Sequence, residues 1–167
     1  MSDIFCEAIV KKATTTGDVV KKIIAIMISV LVIAVSFLFV PYFAVFVIAI
    51  VVGVDYFFFK QLDLEYEYAL TMNELDIAKI MSKERRKQLM TLDLKQASVI
   101  GPMEHPKVKA KVDNSVKIVD CSSRQKTDKV YSIITKHNGK AIQLLFEPSE
   151  TMLQGIRKQF PSKTIIE

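Results

Sequence analysis

The stretch VVKKIIAIMISVLVIAVSFLFVPYFAVFVIAIVVGVDYFFFK, residues 19–60, decides how the rest of the chain is read. From Ile23 to Phe59 its 37 residues carry one charge, Asp55, and one proline, Pro41. As a single helix rising about 1.5 Å per residue it would extend roughly 55 Å. The hydrocarbon layer of a bilayer is about 30 Å thick and needs about 20 helical residues to cross. One crossing would therefore demand a tilt of about 60°, where about 20° is usual. Two crossings fit better, because Pro41 divides the run into 23–40 and 42–59. Proline has no amide hydrogen and disfavours helical geometry at the residue before it, yet its fixed φ suits the first turn of a new helix. The spacing predicts a helical hairpin with its tip near FVPYF, and Asp55 falls about 21 Å beyond the tip, close to the surface from which the first helix began.

The flanks set an orientation. Lys11, Lys12, Lys21 and Lys22 precede the first span and Lys60 follows the second, while the connection between the spans is uncharged. The positive-inside tendency then predicts a multi-pass protein of the cell membrane with both termini cytoplasmic. The run is too long for a cleaved signal peptide, so the first helix reads as a signal anchor. Ala25 and Ser29 form one small-xxx-small pair and Ala49 and Gly53 another. They are expected either to pack the two helices together or to face a second copy in a homo-oligomer. No ionisable residue sits at mid-depth, so an anchor is expected and an ion path is not.

Residues 1–17 read as an amphipathic or disordered segment, with Ile4, Phe5, Ala8 and Ile9 at helical spacing and TTTG ending it. Residues 18–60 are the hairpin, 61–161 one compact domain and 162–167 a tail. From residue 61 onward 18 Lys and Arg stand against 14 Asp and Glu, a net +4. That favours proximity to an anionic leaflet and is too weak to indicate nucleic acid. Cys6 and Cys121 lie in different segments, and no disulfide is expected in a reducing compartment.

The domain alternates like half-buried strands. LEYEYALTM places Leu64, Tyr66, Tyr68 and Leu70 against Glu65 and Glu67. LDIAKIM begins the same way and slips near Ala78, where a bulge or two-sided burial is expected. QLMTLDL, ASVIG, SVKIVDC and KVYSIITK continue the series. Asn138 and Gly139 mark a tight hairpin before AIQLLFE, since both turn positions tolerate positive φ. PSETMLQGIRKQFP then reads as a helix with Ser149 as N-cap, Glu150 in the first turn, a stripe of Met152, Leu153, Ile156 and Phe160, and Pro161 as the stop. The fold class is a membrane helical hairpin plus an α+β domain, an antiparallel barrel or curled sheet of about seven strands with a C-terminal helix.

The order of these elements, in YEYALTMNELDIAKI, RRKQLMTLDLKQASVIGP and KHNGKAIQLLFEPSETMLQGIRKQFP, resembles bacterial pleckstrin-homology-like (PH-like) domains. The whole chain resembles a family of small bacterial membrane proteins of unknown function, with two spans followed by such a domain. The resemblance implies a fold and a membrane address, and no established activity. The best-known relatives in fold bind phosphoinositides through basic residues on the first two strands and their loop. With the first strand placed at LEYEYALTM, that loop is MNE, which carries Glu74 and no basic residue before Lys79.

The basic cluster comes one loop later, at Lys83, Arg85, Arg86 and Lys87. It is the candidate binding site, for an anionic headgroup or an acidic partner, set against a plain solvated turn. Lys107, Lys109 and Lys111 read as the exposed face of a strand or loop. No glycine-rich phosphate loop, paired-histidine metal motif or nucleophile elbow occurs, and His105 and His137 read as loop residues. A non-enzymatic interaction protein without cofactor or metal is expected, its partners being the bilayer and an unidentified protein. The alternatives are an anionic-lipid sensor in cell-envelope regulation and a small accessory subunit of a membrane complex.

Overall fold

The structure, a computed structural model, describes residues 5–113, 115–125 and 127–165. It opens with a strand where a surface helix or a disordered start is expected. Strand β1 (Phe5–Lys11) alternates exposed Phe5, Glu7, Ile9 and Lys11 with half-buried Cys6, Ala8 and Val10. Its apolar residues satisfy both a period of two and a helical stripe, and only a partner chosen by the fold decides between them. Ile4, counted in the helical stripe, lies outside the described residues.

Two long apolar helices follow, α1 (Thr16–Phe39) and α2 (Ala44–Leu62), joined by one tight turn at Pro41–Phe43. Thr16–Phe39 and Pro41–Leu62 are each long and apolar enough to cross a membrane. TTTG starts the first helix: Thr15 Oγ1 accepts from Asp18 N, and Asp18 Oδ2 in turn accepts from Thr15 N at 3.1 Å. This is a capping box, which satisfies two otherwise orphaned donors. Lys12 Nζ donates to the same Asp18 oxygen at 2.8 Å, and both side chains of the pair are buried.

Strands β2 (Leu64–Thr71), β3 (Glu74–Met81) and β4 (Arg85–Asp93) join β1 in an antiparallel sheet of order β1-β2-β3-β4. The slip expected near Ala78 is a bulge: Ile77 pairs with Met90 but Ala78 pairs with Gln88, leaving Leu89 as the extra residue. The second sheet holds β5 (Val99–Pro102), β6 (Lys117–Asp120), β7 (Tyr131–His137) and β8 (Lys140–Phe146) in the order β5-β7-β8-β6. The expected single antiparallel barrel of about seven strands is thus replaced by two sheets of four. The β6–β8 pairing is parallel, because the connection 121–130 carries the chain across to the far side of β8. Asn138 and Gly139 turn the β7–β8 hairpin with φ of 50° and 76°.

Tyr68, Leu70, Leu75, Ile77 and Leu92 of the first sheet meet Ile133, Leu144 and Phe146 of the second in one core. Tyr68 stands edge-on to Phe146, with ring centroids 5.7 Å apart. Helix α4 (Glu150–Gln159) closes this core with Met152 and Ile156, and Ser149 Oγ caps it by accepting from Met152 N. A one-turn helix, α3 (Pro106–Lys109), buries Val108 against Val99 and Ile134 on the outer side of the second sheet. Lys107 and Lys109 therefore sit on a helical turn and not on a strand or extended loop. Residues 163–165 are also structural, since Ile100 N donates to Lys163 O and Ile165 N to Ile100 O.

The domain boundaries change accordingly. The sheet domain begins at Phe5, and the hairpin is inserted between its first two strands. Lys11 pairs with Glu65, and Lys12 N donates to Leu64 O at 2.9 Å, so the chain enters and leaves the hairpin at one point.

Candidate functional site

Inside the hairpin, Ala25 and Ser29 lie on the stripe of α1 that faces α2, where both are half-buried. Their expected partners do not. The facing stripe of α2 is Ala44, Val47, Ile48, Val51 and Asp55, at helical spacing. Ala49 is exposed, and a Cβ added at Gly53 would meet nothing within 4 Å. The depth match also shifts, because Ser29 Oγ donates to Asp55 Oδ2 at 2.7 Å. A hydroxyl on one helix thus satisfies the only carboxylate in the apolar run of the other.

The candidate cluster at 83–87 proves to be a turn followed by a strand. Ser82 and Lys83 occupy left-handed backbone at φ of 49° and 58°, a conformation that non-glycine residues hold only when neighbours enforce it. The enforcement comes from the end of α2. Ser82 N donates to Asp63 O at 2.9 Å, Ser82 Oγ donates to Lys60 O at 2.8 Å, and Lys60 Nζ donates to the Glu84 carboxylate at 2.8 Å. Lys60 also lies 4.9 Å from the Tyr56 ring centre, within cation–π range. The β3–β4 turn is therefore fastened to the point where α2 ends.

Strand alternation then divides the cluster. Arg86, opposite Ile80, projects on the outer face, where its Nε meets Glu67 Oε2 at 2.8 Å. Arg85, opposite Met81, and Lys87, opposite Lys79, project on the other side. Lys79 and Lys87 face each other as like charges, which is locally unfavourable. Among the described residues, Lys79, Lys83, Arg85 and Lys87 have no carboxylate within ion-pair distance. The sequence reading missed Lys60 and Lys79, and the signal for Lys79 was available: a tight turn at 82–84 places it opposite Lys87. A cavity of about 530 Å³ opens beside Arg85, lined by Phe57, Lys60, Gln61, Met81, Ser82, Glu84 and Arg85.

A larger hollow of about 700 Å³ lies between 102–106 and 125–131, with Glu104, His105, Asp128 and Tyr131 at its wall. His105 is structural there, since its Nδ1 accepts from Lys107 N at the start of α3. Among the described residues no group of three or more His, Cys, Asp or Glu could hold a metal ion. Both cysteines are free thiols, Cys6 half-buried and Cys121 buried.

The family model described as bacterial PH-like domain (DUF6106) matches residues 2–166. The chain belongs to this family. No curated protein and no solved structure gives a match. The matched stretch spans β1, both apolar helices and the sheets, so the hairpin lies within it. In this PH-like domain the first two strands are β1 and β2, and the connection between them is the entire hairpin. The MNE turn joins the second strand to the third, so its lack of basic residues says nothing about the first loop.

Proposed function

We propose that the protein is a non-enzymatic membrane protein whose PH-like domain is an interaction module held against the cytoplasmic face of the bilayer. The observation that carries this reading is the insertion of the hairpin between two strands paired along their whole length. A domain joined by a single linker can drift away from the membrane, whereas here both ends of the hairpin are locked into one sheet, with no free linker between. The buried Lys12–Asp18 pair and the Lys60–Glu84 pair support the same fixed junction. Because β1 and β2 are neighbours, the two ends of the hairpin leave the bilayer on one side. Lys11, Lys12, Lys21, Lys22 and Lys60 gather there, and the tip from Phe39 to Phe43 is uncharged.

A protein partner, including a larger complex in which this chain is a small subunit, would pair with an open strand edge of the first sheet. Among the described residues, the outer strands of that sheet, β1 and β4, each have one side with no paired strand. Two reporter fusions test the topology, one between Val40 and Pro41 and one after Glu167. The expected result is a periplasmic-type signal at the tip and a cytoplasmic signal at the end. A cytoplasmic signal at both positions, or release of the protein by alkaline washing, would refute the crossing. Crosslinking in intact membranes should recover a specific protein, and its absence at native abundance would count against the interaction module.

A further inference from the structure

We propose that the cavity between the end of α2 and the β3–β4 turn seats the phosphodiester of a singly charged anionic lipid, a glycerol-type headgroup. This rests on the reading of the hairpin as membrane-spanning, since that reading sets the depth of the cavity. Lys60 and Gln61 are among the last residues of the apolar span, so the cavity lies at the level where headgroups lie. Phe57 is one helical turn deeper and exposed, and with Met81 it forms an apolar wall beside which the upper part of an acyl chain can run.

The polar wall is suited to a phosphate. Arg85 carries a planar fork of donors that matches a phosphate, and it has no carboxylate partner among the described residues. Gln61 and Ser82 line the same space, the Ser82 hydroxyl being committed to Lys60 O. Glu84 lowers the charge of the wall. Its carboxylate neutralises Lys60, which leaves Arg85 as the one uncompensated charge on the wall, with Lys83 and Lys87 outside it. One uncompensated cation beside an ion pair matches the charge of a single phosphate. Arg86, although adjacent in sequence, is excluded because it lies on the other face of the sheet with Glu67.

The test uses the full chain, purified in mild detergent and placed in nanodiscs containing equal amounts of dioleoylphosphatidylglycerol and dioleoylphosphatidylcholine, with bound lipid counted by native mass spectrometry. The expected result is preferential retention of phosphatidylglycerol, reduced about tenfold in Arg85→Ala and unchanged in Arg86→Ala. Equal retention of the two lipids would overturn the proposal. Equal losses in Arg85→Ala and Arg86→Ala would overturn it too, by showing a diffuse basic field. Displacement of the lipid by millimolar inorganic phosphate would reassign the site to free anions. Thermal melting of each variant separates lost binding from lost folding. A protein that stays in the nanodisc yet shows no lipid preference refutes only this inference, whereas failure to enter the nanodisc refutes the membrane reading beneath it.

Discussion

The hairpin and the sheet domain are both rich in apolar side chains and treat them in opposite ways. In the hairpin Leu38, Phe39 and Tyr42 are 80%, 79% and 93% exposed, while in the domain Tyr68, Leu70, Leu75 and Ile77 are fully buried. The domain supplies its own apolar solvent, because two sheets and a helix can enclose a common core. Two helices packed side by side cannot enclose anything, so most of their surface must be covered from outside. The contrast teaches that hydrophobicity alone does not say where a residue sits, and that the number of elements able to surround it does.

The largest effect expected within this contrast comes from emptying the domain core. Phe146→Ala removes the partner of Tyr68 and should cost about 3–5 kcal/mol, read as a lowered midpoint in denaturant unfolding of the detergent-solubilised chain, with the hairpin still helical. Charging the hairpin surface comes next. Leu31→Arg, at mid-span and exposed, should cost about 3 kcal/mol of insertion and shift the protein out of the membrane fraction.

A third prediction concerns alkali. Burial, aided by the neighbouring Asp120 carboxylate, pushes the Cys121 thiol from its ordinary value near 9.0 up to about 12. Between those values the unfolded chain has lost the proton that the folded chain keeps. Stability from this group is therefore complete below about pH 9 and falls as pH rises toward about 12. Thermal melts across that range should show the fall, Cys121→Ala should lessen it while leaving the part contributed by buried Tyr68 and Tyr66, whose hydroxyls burial also pushes up, and alkylation at pH 8.5 should leave Cys121 unmodified until denaturant is added.

Smaller still is the helix cap: Ser149→Ala should lower stability by about 1 kcal/mol through loss of the bond to Met152 N, measured by the same unfolding curves. The smallest is the control for Leu31. Leu89→Arg places the same charge on the bulged, exposed residue of β4 and should move stability by no more than about 0.5 kcal/mol, leaving membrane localisation intact. A large effect at Leu89 would mean that this edge is covered by something.

Legibility varied with the range of the interaction that decides each element. The hairpin, the Asn138–Gly139 turn and the Ser149 cap all depend on residues within a few positions of one another, and each was readable; the slip near Ala78 was readable as well, but not that its extra residue, Leu89, belongs to β4. Strand β1 was not, because the residues that make it a strand lie beyond the hairpin, with Phe5 pairing with Thr71. Packing of Ala49 and Gly53 against α1, one of the two roles expected of them, is not what the structure shows, for a related reason. Spacing identifies a possible stripe, and only the rotation of α2 against α1 decides which stripe faces inward. The cluster at 83–87 was visible as charge, but its division between two faces required the strand register.

Composition and local spacing were sufficient to determine two apolar helices with a proline between them, and a domain of strands ended by a capped helix. These follow from chain length set against bilayer thickness and from backbone chemistry, neither of which needs a partner. Tertiary structure alone decided that the hairpin interrupts the sheet instead of preceding it, that the strands divide into two sheets with one parallel pair, and that Arg85 and Arg86 point apart. Each of those outcomes is a choice among pairings between distant segments, which the shared core energy of the assembled domain settles and no local pattern records.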